Sequence, residues 1–462
     1  MYRIGLFIIF FVSACHQPPV DLLKTISLNS KNLAVIHHYP LPKKPLKQKL
    51  FKDQQLQNLI HIALTDSPDI TAVKIRVIRA EQIAQAAYAT LWPVAGLTSN
   101  FGKRFFKAHG RLPQPLQSLA FEQLSQANIN FNFNYELDFW GKNRENLASH
   151  LSEICASKMA KAHTKLILSS LIAIHYFALQ NIELQINLAR KVQSAQQEIQ
   201  NIVLSRAQKG VLSDVPVKTA LTQLEQSYLK LDALKLEKQQ VQFKLAYLMG
   251  KNPLKTQIEI KPTKPSELRL SLPKILPANL LAQRPDILAA RAKAQAAAHL
   301  VQVAKTAFYP NINLAAFISG QSFYFSQFFN VAIRTQGVNA ALDLPIFDAG
   351  ARQANLNKQY AEYELAVNQY NQTILHALHD VADNLAAFKT IEQKIKHQHR
   401  AVAATQANFN LLQARFTHGI IDYLPVLEVK ETLFEQQAVL YGLENNKKQT
   451  YVALVTALGG RF

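Results

Sequence analysis

The sequence predicts a mainly α-helical protein with a membrane β-barrel part, built from two internal structural repeats. The repeat is visible because the segment from Pro68 to Pro93 recurs, without a gap, from Pro285 to Pro310. Two long stretches without proline predict long helices, and one stretch that alternates strictly between polar and apolar side chains predicts a strand. These observations indicate one architecture written twice rather than several unrelated domains.

Two sets of matching residues define the repeat. Ser-Pro-Asp-Ile at 67–70 corresponds to Arg-Pro-Asp-Ile at 284–287, so Pro68 and Pro285 are 217 residues apart. Further along, Arg206-x-x-x-Gly210 corresponds to Arg415-x-x-x-Gly419, 209 residues later. The function must therefore tolerate or use a pseudo-twofold arrangement of the chain.

The charge balance narrows the classes of partner. The chain of 462 residues has 51 Lys and Arg against 31 Asp and Glu, a net charge of +20. Such a surplus suits nucleic acid or an anionic membrane surface. The basic residues are scattered, and no zinc-finger or helix-turn-helix spacing is present. We therefore expect no nucleic-acid partner.

The first residues have the pattern of a targeting segment. Arg3 supplies a positive start, and the apolar run from Ile4 to Val12 is too short to span a bilayer. Ser13 and Ala14 then precede Cys15, which resembles a lipobox with an acylated cysteine. We expect a signal peptide at 1–14 and a lipid anchor at Cys15. The alternative is an ordinary signal peptide with an incidental cysteine.

Cysteine usage and hydropathy add two expectations for the mature chain. Only Cys155 remains once Cys15 is acylated, so no internal disulfide can form. No later stretch has eighteen uninterrupted apolar residues, which predicts no transmembrane helix.

Helices are predicted along most of the chain, in two similar series. Residues 15–62 form a lipid-anchored segment and belt, and the first repeat follows at 63–250 with a helix over about 63–92. The proline-free stretches 144–205 and 352–414 predict helices of roughly 90 Å. A leucine-rich return helix follows Gly210, and a proline-rich equatorial linker occupies 251–277. The second repeat is 278–462, and its first helix covers about 278–309.

Strands are predicted between the helices, in hairpins at 94–140 and 311–347. Residues 128–139 alternate between polar and apolar side chains throughout, a length close to that of a membrane barrel strand. Weaker patterns at 94–103, 312–318 and 338–346 give four strands in all. Four strands cannot close a membrane barrel, because open edges in lipid are too costly. Either several chains share one barrel, or the sheet lies outside a membrane.

An aromatic residue marks each predicted junction between a helix and a strand. These residues are Trp92, Trp140, Tyr309 and Phe347. Aromatic rings prefer the headgroup level of a membrane, so the four predict an interfacial girdle. Ordinary core aromatics at a packing layer remain the alternative.

Three motifs resemble the TolC-type outer-membrane efflux family, and its NodT-like lipoproteins of resistance-nodulation-division drug pumps in particular. They are Leu-Leu-Ala-Gln-Arg-Pro-Asp-Ile at 280–287, Tyr-Glu-Leu-Asp-Phe-Trp-Gly at 135–141 and the segment from Arg415 to Glu428. The resemblance runs from about residue 50 to the C-terminus.

This resemblance implies a homotrimer in the bacterial outer membrane, projecting into the periplasm. Each protomer would give four strands to a shared twelve-stranded barrel, and the long helices would form a periplasmic tunnel. A periplasmic adaptor and an inner-membrane pump of the resistance-nodulation-division type would be its partners. The implied function is a passive exit duct for small molecules such as drugs.

The resemblance also suggests site residues at the far end of the helices. Leu424 and Glu428 match the positions of a periplasmic gate, with Asp422 as a further candidate that could instead cap a helix. Seam packing for Leu424 and a solvated helix face for Glu428 are the alternatives. The turns at Gly210 and Gly419, with Arg206 and Arg415 nearby, are expected to contact a partner.

No pattern in the chain predicts an enzyme or a cofactor. His376, His379, Asp380 and Asp383 share a helix face, but a water-lined polar stripe explains them, so we expect no metal site. Nucleophile, phosphate-binding and metalloprotease motifs are absent from the sequence. A peptide or protein export duct and a coiled-coil lipoprotein scaffold without a pore remain alternative functions.

Overall fold

The structure is a computed structural model that describes residues 53–105, 123–256, 258–260, 283–322 and 333–460. The predicted signal peptide, the anchor at Cys15, most of the N-terminal segment and most of the proline-rich linker lie outside these residues. So do the tips of both predicted hairpins.

Seven helices and four strands follow one another in the described part of the chain. They are α1 Gln54–Asp66, α2 Pro68–Ala89, β1 Val94–Phe105, β2 Gln123–Leu137, α3 Lys142–Gln208, α4 Asp214–Leu248, α5 Pro285–Thr306, β3 Asn311–Ser322, β4 Ile333–Asp343, α6 Ala351–Thr417 and α7 Leu424–Ala457.

The two repeats have the same order of elements, helix–strand–strand–long helix–return helix. α2 and α5 both have 22 residues, and α3 and α6 both have 67. At 1.5 Å per residue, each long helix is about 100 Å in length. The shorter helices α4 and α5 both pack along α3.

Several predicted boundaries are wrong by a few residues. The predicted boundary between residues 62 and 63 falls inside α1. The helix is interrupted instead at Ser67, whose backbone is extended (φ −62°, ψ 131°). Pro68 causes this break, since proline forces the preceding residue out of the helical region. β2 ends at Leu137 and β4 ends at Asp343. Residues 344–347, which were predicted to belong to the second hairpin, therefore lie outside its strands.

The strands form one antiparallel sheet with the order β1-β2-β3-β4. The register pairs Phe131 with Leu97 and Ile318, so apolar residues of neighbouring strands share one face. The other face carries asparagines, and Asn134 pairs there with Val94 and Ala315. The sheet therefore has one apolar and one largely polar side, as the alternation in the sequence predicts.

Both edges of this sheet are open within the described chain. β1 pairs only with β2 and β4 only with β3. On these edge strands, Leu97 is 67% exposed and Val338 is 80% exposed. The sheet thus presents unpaired backbone groups and uncovered apolar side chains at both ends.

α3 is the centre of the protomer, whereas α6 lies at its margin. Of 67 residues in each helix, 22 are buried in α3 and only five in α6. α3 packs against α1, α2, α4, α5 and α7, while α6 packs against α5 and α7. Much of the surface of α6 is therefore left without a neighbour from the same chain.

The main core lies where α1 crosses α3. Leu56, Ile172 and Phe177 belong to a buried cluster there. The Asp53 carboxylate accepts the backbone N–H groups of residues 55 and 56 at the start of α1. It also accepts the Tyr176 hydroxyl at 2.5 Å, which fixes α1 on α3.

The expectation that no helix could span a membrane needs a correction. By length and composition alone, α3 is long and apolar enough to cross a membrane, and it is the one helix in the described ranges with this property. A buried core helix passes the same test, and α3 is packed by five other helices. Its apolar residues are accounted for by this packing.

Arg284 joins three helices at the middle of the molecule. Its guanidinium donates to both carboxylate oxygens of Asp286 at 3.1 and 2.8 Å, and to the Ala457 carbonyl oxygen at 2.8 Å. Asp380 on α6 lies 3.4 Å away. Since Arg284 is only 7% exposed, its charge depends on these partners. The equivalent residue in the first repeat is Ser67, which has no charge.

Replacement of Arg284 by alanine is expected to cost about 3 kcal/mol of unfolding free energy, because it leaves the partly buried Asp286 carboxylate and the end of α7 without their donor. Arg284→Lys should recover only part of this loss, since an ammonium group cannot make the bidentate contact. Thermal unfolding of the purified protein measures both effects. Ser67→Ala, at the matching position, is the control and should cost no more than about 1 kcal/mol. Equal losses for the alanine variants at both positions would contradict this role.

Candidate functional site: the helix tips and the junction of sheet and helices

Two sharp turns at the far end of the long helices have the same backbone geometry. Gly210 and Gly419 follow α3 and α6 with φ values of +75° and +71°. The N–H of each following residue reaches back to the carbonyl oxygen of Arg206 or Arg415, at 2.9 Å in both cases. This is the left-handed helix ending for which glycine is favoured. It sets the positions of the side chains at both tips.

Arg206 and Asp422 form an ion pair that connects the two tips. Arg206 lies in the last turn of α3, and Asp422 lies just before α7. The hydrogen bond from Arg206 lowers the pKa of the Asp422 carboxyl below its usual value, and the Tyr423 backbone N–H contributes in the same direction. The expectation that Asp422 caps α7 is wrong. Tyr423 occupies the cap position, and no side chain caps this helix.

Apolar residues at the tips were missed by the sequence analysis. Val211 and Ile420, which follow the two glycines, are 68% and 69% exposed, and Val215 is 72% exposed. In a helix ending of this type, the residue after the glycine usually packs back on its own helix. An apolar residue directly after the glycine in both repeats was the signal that the sequence offered. Arg415 is exposed as well.

Leu424 and Glu428 occupy different environments. Leu424 is half-buried against a cluster that includes Ile199, Val203 and Leu427, so it contributes to the packing of α7 on α3. Glu428 is exposed one turn later. Among the described residues, nothing therefore shields the Glu428 carboxylate from solvent.

A second carboxylate lies between Glu428 and Glu435 on α7. Glu431 accepts a short hydrogen bond from the side-chain amide of Gln196 on α3, and Gln196 is only 2% exposed. Burial raises the pKa of Glu431, and the neighbouring Glu435 and Glu428 raise it further. The sequence analysis did not identify this contact, because the two residues are 235 positions apart.

The four junction aromatics are all exposed, at the same end of the sheet. Their exposed fractions are 57% for Trp92, 47% for Trp140, 51% for Tyr309 and 87% for Phe347. Trp140 and Tyr309 stack with ring centres 4.8 Å apart, and the Trp140 indole N–H donates to the Pro310 carbonyl oxygen at 2.7 Å. Packing within this chain's core therefore does not explain them.

A recess of about 320 Å³ lies beside this stacked pair. Its walls come from the ends of β2 and β4, from α5 and from the first turns of α6. Charged and polar residues in its lining include Glu136, Asp138, Lys142, Asp343 and Gln359. Trp92 and Phe347 do not line it.

The polar stripe on α6 is used for contacts within the protein. Asp380 approaches Arg284, and His379 lies 3.4 Å from Asp383. Among the described residues, no group of three or more His, Cys, Asp or Glu side chains is arranged to hold a metal ion.

Comparison with known proteins gives consistent matches over most of the chain. Residues 59–251 and 276–460 match the family model described as outer membrane efflux protein. The multidrug resistance outer membrane protein MdtQ of Escherichia coli O157:H7 is 27% identical over 417 residues, which cover 89% of this chain and 87% of MdtQ.

Solved structures agree with these matches. The outer membrane protein VceC of Vibrio cholerae is 28% identical, with a TM-score of 0.79 over 89% of this chain and 98% of VceC. CusC, whose structures concern folding and transmembrane channel formation, is 25% identical, with a TM-score of 0.80 over 92% of this chain and all of the CusC chain. The fold class predicted from the sequence is thereby confirmed.

Proposed function

This chain belongs to the outer membrane efflux protein family, and on that premise we propose that three copies of it form a gated conduit in the outer membrane. The chain is an outer-membrane exit duct of an efflux system. Each copy would contribute its four strands to a twelve-stranded barrel, and its helices to a tunnel below the membrane. Small molecules such as drugs would pass through it passively, with energy supplied by a pump in the inner membrane.

The open sheet is the observation that supports this proposal. β1 and β4 have no second partner in the described chain, and both carry exposed apolar residues. Unpaired strand edges are not tolerated in lipid, so the edges must meet strands of other copies. The antiparallel order lets β4 of one copy pair with β1 of the next. The same arrangement would cover the uncovered side of α6.

The tips would contact the partners that complete the machine. Val211, Val215 and Ile420 offer apolar surface there, and Arg415 offers an exposed cationic side chain. Gly210 and Gly419 would hold these residues at the ends of sharp turns. A periplasmic adaptor carrying complementary apolar and acidic side chains would fit this end, and through it a pump of the resistance-nodulation-division type.

The gate would lie just inside the tips. Arg206 and Asp422 join the end of α3 to the start of α7, so their ion pair would hold the tips together in the closed state. Three copies of Glu428 around the axis would form a carboxylate ring that favours cations. Leu424 would narrow the opening next to this ring.

The N-terminus and the junction aromatics would fix the duct at the membrane. Cys15 would carry the lipid, after removal of residues 1–14. Trp92, Trp140, Tyr309 and Phe347 would all lie at the headgroup level, which suits their exposure at one end of the sheet. Trp92 and Phe347 would contact the lipid, whereas the stacked pair of Trp140 and Tyr309 would turn a face toward the interior. A scaffold without a pore is disfavoured by the sheet, which has an apolar outer face and a polar face suited to water.

Arginine substitutions on neighbouring residues of β4 test the barrel. Val338 pairs with Ala316 on the apolar face, and Asn339 pairs with Ala315 on the polar face. Val338→Arg should cost about 2–4 kcal/mol near the middle of the bilayer and reduce the amount of heat-modifiable trimer. Asn339→Arg, the matched control, should assemble and lower cation conductance. If both variants assemble equally well, the sheet does not face lipid as proposed.

Current recordings in planar bilayers test the gate. Arg206→Ala should raise the open probability severalfold, because the tips lose their connection, and the exchange Arg206→Asp with Asp422→Arg should restore closure. Since the pKa of Asp422 is lowered, the ion pair is complete above the ordinary aspartate value of about 3.9 and is lost only as the pH falls through the lower folded value. Wild-type closure should therefore persist at mildly acidic pH. If the channel stays open after the charge exchange, the Arg206–Asp422 ion pair does not hold the tips closed.

The same recordings examine Glu428. Glu428→Ala should reduce the preference for cations over anions, while Glu364→Ala in α6, nearer the membrane, serves as the control for a general change of charge. Unchanged selectivity in Glu428→Ala would exclude the ring.

Labelling with a radioactive fatty acid tests the anchor. Cys15→Ser should abolish the label, because no thiol remains at the lipobox, and should still permit some trimer assembly. Cys155→Ser is the matched control and should keep the full label. Label that persists in Cys15→Ser would show that the lipid is attached elsewhere.

A further inference from the structure

The recess at the junction of the sheet and the helices lies on the polar side of the sheet. Glu136 pairs with Asn313, and Asp343 pairs with Asn311, two residues earlier on the same strand. Residues two apart on a strand share a face, so both carboxylates lie on the side that carries the asparagines. If the apolar side faces lipid, as proposed above, the recess opens toward the water-filled interior of the duct.

Two acceptors in the lining of the recess have no side-chain donor among the described residues. Lys142 pairs with Glu136 at 2.9 Å, and Arg144 pairs with Asp138 at 3.2 Å. In the part of the chain that the structure describes, Asp343 has no such partner. The side-chain oxygen Oε1 of Gln359 is buried and accepts no hydrogen bond there. A buried acceptor without a donor is costly, so a ligand that donates would be favoured.

An apolar wall lies beside these acceptors. Trp140 and Tyr309 present a stacked pair of rings at the recess, with an angle of 18° between their planes. Leu300 and Val303 of α5 add aliphatic surface below them. Rings of this kind pack against a further aromatic group and attract a cation near their faces. The volume of about 320 Å³ accommodates a small molecule.

We propose that this recess binds small organic cations that combine a primary ammonium group with an aromatic ring. The ammonium carries three N–H donors, which match the Asp343 carboxylate and the Gln359 oxygen. The ring lies against Trp140 and Tyr309. The recess is then a transient station for aromatic amines on the inner wall. This binding proposal rests on the proposed duct in one respect, namely that the ligand enters the recess from the interior.

Tryptophan fluorescence gives a direct readout, because the chain contains only two tryptophans. In the full-length trimer with Trp92→Phe, Trp140 is the only emitter, and phenethylammonium is the probe. Its emission should change with a saturable dependence and a dissociation constant of about 1 mM. With Trp140→Phe in place of Trp92→Phe, the saturable change should disappear. A response that does not saturate by about 10 mM overturns the proposal.

Matched ligands and variants separate this site from general adsorption. 2-Phenylethanol has the same ring without the charge and should bind at least about tenfold more weakly. Asp343→Asn and Gln359→Leu should each weaken phenethylammonium by about fivefold or more. Asp232→Asn, an exposed carboxylate on α4, should not. Equal binding of the alcohol, or no effect of Asp343→Asn, would refute the assignment.

The same ammonium chemistry occurs in phosphatidylethanolamine, so two lipid compositions distinguish the sources. Nanodiscs of phosphatidylcholine and of phosphatidylethanolamine should give the same response to phenethylammonium if the ligand is a soluble cargo. Loss of the response only in phosphatidylethanolamine would mean that a lipid headgroup occupies the recess, and would overturn the cargo assignment. Conductance of the same trimers reports on the duct separately. Conducting trimers without a binding signal would reject this site alone.

Discussion

The structure depends on one constraint: every backbone N–H and C=O group inside a bilayer must have a partner. A single chain supplies four strands in one open sheet, and β1 and β4 each have a free edge among the described residues. No rearrangement within four strands can close them, because even small membrane barrels need about eight. If the sheet lies in lipid, as proposed, hydrogen bonding therefore requires strands from other copies. The helical part is consistent with this requirement. The marginal helix α6 buries five residues, whereas α3, which has the same length, buries 22.

The duplication explains both the regularity of the molecule and the places where it is broken. Matching helices have the same length to within one residue, and matching turns end in the same left-handed glycine geometry. The differences occur at positions that carry charge in only one repeat. Arg284 replaces Ser67 at the middle of the chain and connects α5, α6 and α7. Asp422 replaces Ser213 at the tip and pairs with Arg206. Under the proposed gate, the asymmetric ion pair at the tip is the specific contact that opening would release.

Carboxylates at the two ends of the duct are arranged differently. On α7, burial raises the pKa of the Glu431 carboxyl and favours the protonated acid, against the opposing hydrogen bond from Gln196, whereas the hydrogen bond from Arg206 lowers the pKa of Asp422 and favours its ionised form. Near the membrane, Glu136 and Asp138 are paired with neighbouring cations, whereas Asp343 has no such partner among the residues that the structure describes. These local differences decide where a cation from the interior meets an uncompensated negative charge. The total of +20 for the chain does not predict them, because electrostatic interactions in water decay within about 10 Å.

The sequence by itself determined the periodic features: the repeat, the long helices, the four strands and the glycine turns at Gly210 and Gly419. Each of these is set by neighbouring residues, through hydrophobic period, proline restriction or backbone conformation, so it is visible locally. Boundaries near proline shifted by a few residues, as at Ser67, where α1 and α2 separate. Only the tertiary structure decided that Arg206 meets Asp422, that Gln196 meets Glu431 and that Trp140 stacks on Tyr309. These partners are 169 to 235 residues apart in the chain, and only the packing of α3 against α7 and of β2 against β3 brings them within reach.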